Sequence, residues 1–128
     1  MTLFASYLIG CSGEVTEEEL RLWKNTESGQ KKVQEVIKDV KQPETIRLKA
    51  IEVLIENELS YKALDAIKES PDSLKLINGI KGWLLGLLNK EENMQKIARD
   101  MCILFLDYVK DKDKNLHKEI GEEIGERV

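Results

Sequence analysis

Apolar positions recur along this chain at spacings of three and four, and between them stand residues that start or stop helices. Thr16-Glu17-Glu18-Glu19 reads as a capping box, in which the Thr16 hydroxyl and the Glu19 carboxylate each satisfy a backbone N–H of the other residue. It predicts a short helix carrying Leu20 and Trp23, interrupted at Asn25-Thr26. Thr26 caps a second helix, with Val33, Val36 and Ile37 inward and an end near Asp39. Pro43 suits the first position of a third helix. There Ile46, Ala50, Val53 and Leu54 share one face, and Asn57 is the stop. Ser60 starts a fourth, with Ala63, Leu64 and Ile67 inward. Ser70-Pro71 repeats the cap-then-proline signal and opens a fifth helix to about Asn89. A sixth runs from about Glu92 to Lys110, with Met94, Ile97, Met101, Phe105 and Tyr108 on one face. Lys110 to Lys114 is a turn. Leu116, Ile120 and Ile124 then mark a last helix, weakened by Gly121 and Gly125. No segment alternates with period two, so the expected fold class is all-α, without strands.

The first residues break this pattern. No charge of either sign precedes Glu14, in a chain that is 34% charged. The apolar start ends in Leu8-Ile9-Gly10-Cys11. A branched residue, a spacer, a small residue and then Cys is the pattern of a bacterial lipoprotein signal. An apolar stretch of about 7–15 residues closing on small residues is what export machinery accepts. Gly10 lets a peptidase approach the bond before Cys11, and the Cys11 thiol is the nucleophile that carries the lipid. The expected organisation is therefore a signal over 1–10 that is removed, a tether over 11–15 and a helical domain over 16–128. Ser12 and Gly13 suit the tether. The last helix lacks a stop signal, as it would if the chain were cut within a longer stack. The alternative is that Leu3 to Cys11 is a short buried helix with Cys11 as a small core residue. The absence of any Lys or Arg before Arg21 and the shortness of the apolar stretch favour that alternative.

Composition narrows the rest. At 128 residues the chain is the size of one domain. Aromatic residues make up only 5%, and two residues are Pro. The net charge of -4 argues against nucleic acid as a partner. No run approaches the ~18 apolar residues of a spanning helix; Gly82 to Leu88 is stopped by Lys81 and Lys90. Two Cys are present, Cys11 and Cys102, and a lipid on Cys11 would leave Cys102 without a disulfide partner in the chain. Met101, Ile103 and Leu104 around it predict a buried, inert thiol.

Short helices with short links suggest stacked helical hairpins. Pro43, Arg47, Ala50 and Ile51-Glu52-Val53-Leu54 lie in a segment, from Gln42 to Leu54, that resembles the first helix of a HEAT repeat. Such repeats favour Pro near the helix start, then Arg, a small residue three later, and aliphatics. A second copy at Ile97 to Leu106 matches Arg99 to Arg47, Cys102 to Ala50 and Leu106 to Leu54. Its offset differs from the ~40–47 of a regular array. The resemblance covers about Gln42 to Val109 and implies a HEAT-like α-solenoid of two to three irregular repeats. The Arg would then cap or pair with a neighbouring turn. The chain as a whole is also similar to bacterial lipoproteins in which Cys-Ser-Gly leads into a Leu/Trp helix and HEAT-like repeats. The matching pieces are Cys11-Ser12-Gly13, Leu20-Arg21-Leu22-Trp23, Asn25, Gly29 and the Pro43 helix. That resemblance implies location and fold, and no activity.

Candidate chemistry is sparse. His117 is the only His and lacks neighbours at ligand spacing, so it reads as a solvated surface residue and no metal site is expected. Glu17-Glu18-Glu19 fits a helix N-terminus that favours negative charge, and Glu122-Glu123 a solvated face. Neither a phosphate loop nor a nucleophile elbow is present. No cofactor or catalytic residue is assigned. The unusual surface is on the fifth helix, where Gly79, Gly82 and Gly86 form a stripe beside Trp83. Either close packing uses that stripe, or it is a groove for a partner helix or apolar ligand with Trp83 as anchor. The resulting expectation is a non-enzymatic protein-interaction scaffold of the bacterial cell envelope, lipid-anchored through Cys11. Ser12 lacks the acid that retains such proteins at the inner membrane, which points to the outer one. The main alternative is a soluble cytoplasmic HEAT-like adaptor whose apolar start belongs to the fold. An enzyme, such as a lyase acting on a bound chromophore, lacks an identifiable acid, base or nucleophile here.

Overall fold

The computed structural model describes residues 14–127, with side chains to Ile124. The described structure is helical throughout, without strands. The helices are α1 (Glu17–Trp23), α2 (Glu27–Lys38), α3 (Glu44–Glu56), α4 (Ser60–Glu69), α5 (Ser73–Gly86), α6 (Glu92–Val109) and α7 (Lys114–Arg127). A single 3-10 turn, Leu87–Asn89, follows α5.

Local chemistry explains most boundaries. The capping box at Thr16 forms as expected: Glu19 N–H donates to Thr16 Oγ1 at 3.2 Å, and Thr16 N–H donates to Glu19 Oε1 at 3.1 Å. Gly29 N–H donates to Thr26 Oγ1 at 3.0 Å to cap α2. Pro43 stands one residue before α3 as its N-cap, and its carbonyl accepts from Ile46 and Arg47. Asn57 ends α3, its Nδ2 donating to the Val53 carbonyl at 2.7 Å. The chain then turns through Glu58 at φ 62°, a left-handed conformation usually left to Gly. Leu59 N–H donates back to the Leu54 carbonyl at 2.9 Å and Glu58 N–H to that of Ile55 at 3.2 Å, a Schellman closure.

The start of α5 departs from the sequence expectation. Ser70 does not cap it; its hydroxyl donates to the Ala66 carbonyl at 2.8 Å and finishes α4. The N-cap of α5 is Asp72, whose carboxylate makes no cap bond because Arg47 holds it. The buried stripe of α6 is also turned from the expected face. Ala98, Met101, Cys102, Phe105 and Val109 are buried, while Met94, Ile97 and Tyr108 are half-buried at its margin.

Each helix packs on the next in sequence. In addition α1 packs on α3, α3 on α5, α5 on α7, and α2 on α4. The core runs continuously through these contacts, from Leu20, Val33 and Ile37 to Ile51, Leu54, Ile67, Ile80, Phe105 and Ile120. Burial of this kind contributes about 25 cal/mol per Å2 of apolar surface and holds together helices too short to stand alone. Polar contacts join α2 to α4: Gln34 Nε2 donates to the Lys62 carbonyl at 2.9 Å, and Lys62 Nζ to Gln30 Oε1 at 2.6 Å. The α4 and α6 helices are not among the main packing pairs. They are bridged at one end, where Lys68 Nζ stands 5.7 Å from the Tyr108 ring centre.

Candidate functional site

Leu8, Ile9, Gly10 and Cys11, with Ser12 and Gly13, lie outside the described residues. Val15 is half-buried against the core, and its N–H donates to Gln42 Oε1 at 3.3 Å. Val15 stands four residues after Cys11 in the sequence.

The glycine stripe of α5 divides into two parts. A Cβ at Gly79 would meet Leu48 Cδ1 at 3.1 Å and Cδ2 at 3.2 Å, so α3 approaches α5 closely there. A Cβ at Gly82 or Gly86 would meet nothing within 4 Å. Close packing thus accounts for Gly79, and the stripe beyond it faces open space. Trp83 is half-buried and packs against the core. A hollow of about 320 Å3 lies between α5 and the start of α7, lined by Leu74, Lys75, Asn78, Asp113, Asn115, Leu116 and Glu119. Lys81 Nζ pairs with Glu119 at 3.2 Å between the same two helices. The lining offers amides, a cation and carboxylates around two leucines.

A second hollow, of about 370 Å3, lies between the α3–α4 turn and α6. Glu58 and Ser60 line it from the α3–α4 turn, and Asn93, Lys96, Ile97 and Asp100 from α6. Further along α6, Ile103 is 61% exposed and Leu104 42%. Sequence reasoning placed these two beside a buried Cys and missed their exposure. The available signal was their position on the charged side of α6, in register with Lys96, Arg99, Asp100 and Asp107. Arg99, which the internal match paired with Arg47, is itself exposed and lines a hollow with Glu92, Asn93 and Lys96.

Arg47 is the one buried cation among the described residues. Its Nε donates to the Ile37 carbonyl at 2.9 Å, and its two terminal nitrogens donate to the Asp72 carboxylate at 2.8 and 2.7 Å. This planar, two-pronged pairing is the geometry in which Arg surpasses Lys. The pair raises the affinity of the Arg47 guanidinium for its proton and lowers that of the Asp72 carboxylate. Its role is to tie the end of α2 and the start of α5 to α3. Cys102 is buried, and burial pushes its thiol up to about 11, which leaves it unreactive. His117 is half-buried on α7. Glu17 and Glu18 are exposed on the first turn of α1, and Glu122 is exposed on α7. Among the described residues no three His, Cys, Asp or Glu side chains gather as metal ligands would. No described helix is long and apolar enough to cross a membrane.

Comparison with protein-family models, curated proteins and solved structures finds no match to this chain.

Proposed function

We propose that this chain is a non-enzymatic interaction scaffold of the bacterial cell envelope, held at a membrane by lipid on Cys11. The observation that carries the reading is Leu8-Ile9-Gly10-Cys11 behind an uncharged start. A lipid chain contributes about 0.8 kcal/mol per buried CH2, so several chains on one Cys anchor a protein stably. The body is read as a HEAT-like stack of hairpins. Support comes from the packing of α1 on α3, α3 on α5 and α5 on α7, one continuous row, and of α2 on α4 beside it. Further support comes from Arg47, which pairs with the turn ahead of α5 as the repeat resemblance implies. The partner is a protein, and the two hollows beside α7 and between α4 and α6 are the surfaces offered to it.

The test is expression from the native gene, upstream sequence included, in a bacterial host, followed by intact mass and fractionation. A mature chain starting at lipid-modified Cys11 in the membrane fraction is the expected result. A Cys11→Ser variant should then move to the soluble fraction. An unmodified, soluble chain that keeps Met1 would replace this reading with a cytoplasmic adaptor.

A further inference from the structure

The turn between α2 and α3 carries an unusual tip. Gln42 N–H donates to the Asp39 carbonyl at 3.1 Å, which closes a four-residue turn with Val40 and Lys41 at its crest. Lys41 N–H also donates to Asp39 Oδ1 at 2.9 Å, which braces the crest outward. Crest positions favour Gly, Pro, Asn, Asp and Ser. Here one is an aliphatic residue left 57% exposed, and the other is an exposed cation.

The same turn is bonded to the segment ahead of α1. Gln42 Oε1 accepts from Val15 N–H, and Val15 is four Cα steps from Cys11. Four steps span at most about 14 Å even when fully extended. A lipid on Cys11 therefore keeps this end of the molecule within one short tether of the bilayer surface. We infer that the Asp39–Gln42 turn is the edge that rests on the membrane, with Val40 entering the headgroup layer and Lys41 meeting lipid phosphate. The inference rests on the lipid-anchor reading above. The chemistry suits both residues: a small aliphatic side chain enters the headgroup–acyl boundary, and a Lys stem lies along it with its ammonium at the phosphates. The turn between α3 and α4 stands at the other end of α3. At 1.5 Å per residue that 13-residue helix separates the two ends by about 20 Å. The α4–α6 hollow, which includes Glu58 and Ser60, is then held away from the bilayer and open to a partner.

The experiment uses the full chain, purified with its lipid and placed in phosphatidylethanolamine–phosphatidylglycerol vesicles that carry a headgroup quencher. A fluorophore is attached at V40C in one sample and at Y61C in another. Tyr61 lies in the first turn of α4, beyond that far end, and is 60% exposed. Cys102 is buried, so the chain without an introduced thiol is the labelling blank. The expected result is several-fold stronger quenching at position 40 than at 61. Equal quenching, or stronger quenching at 61, in a chain whose intact mass shows lipid on Cys11 overturns this orientation and leaves the anchor standing. An intact mass with Cys11 unmodified overturns both.

Discussion

Gly29 is held by contact rather than by backbone conformation. A Cβ there would stand on the Trp23 carbonyl, with O and C at 2.0 and 2.7 Å, so the end of α1 and the start of α2 meet through backbone alone. Gly29→Ala should therefore destabilise the fold by about 2 kcal/mol or more, although Ala is the better helix former. A urea melt would show it, and a neutral result would mean that the two helices can part. Glu58 is the opposite case, a side chain where Gly would serve better. At φ 62° a non-glycine residue is disfavoured by about 1 kcal/mol, so Glu58→Gly should raise the urea midpoint. Asp72 links a residue to solution conditions. Its pKa lies below the ordinary 3.8 because Arg47 donates to it, so its contribution is complete at neutral pH and is lost as pH falls below about 4. Asp72→Asn should cost about 3 kcal/mol at pH 7, near the low end for breaking a buried pair because Asp72 is partly solvated. Urea melts at pH 7 and pH 3 should show the gap between native chain and variant narrowing in acid. The structural role of Arg47 was legible in the sequence, through the repeat it resembles. Its partner was not, because Ser70-Pro71 mimics a cap and a pair 25 residues apart leaves no local pattern.

At the scale of elements, the caps made the helices readable. Thr16, Thr26 and Asn57 each carry a side chain that satisfies a backbone group at an end, and each boundary fell where that chemistry put it. The buried face of α6 was harder. Met94, Ile97, Met101, Phe105 and Tyr108 fit the helical period as well as the true stripe does. The true stripe includes Ala98 and Cys102, whose small side chains give a weak apolar signal. The α5 glycines were readable as a stripe but not as two kinds of site, because which of them a neighbouring helix approaches depends on Leu48. That division makes a prediction. Gly82→Ala should stabilise by about 0.5–1 kcal/mol, the usual gain for Ala over Gly in an open helix position. Gly79→Ala should lose that gain against Leu48. Thermal melts of the two variants decide it, and equal behaviour would mean that α3 does not press on α5 at this point.

For the molecule as a whole, the order of helices along the chain is also their order in space, since every helix packs on its successor. The all-α class followed directly from the spacing of apolar residues. The weak packing of α4 on α6, which is not among the main packing pairs, did not, because it depends on how two non-consecutive helices meet, and no run of residues records that. Its consequence concerns the order in which the structure opens. The first four helices are cross-linked among themselves, with α2 against both α3 and α4 and α1 against α3. The last two are joined to them mainly through α5, which alone contacts both groups among the main packing pairs. Contacts shared by fewer neighbours are released at lower free energy. Native-state amide exchange should therefore lose protection in α6 and α7 at lower denaturant than in α2 and α3. Simultaneous loss would mean that α5 transmits enough coupling to make the chain a single cooperative unit. If the two steps separate, the C-terminal hairpin is a detachable flap, able to swing about α5 while the first four helices keep their fold.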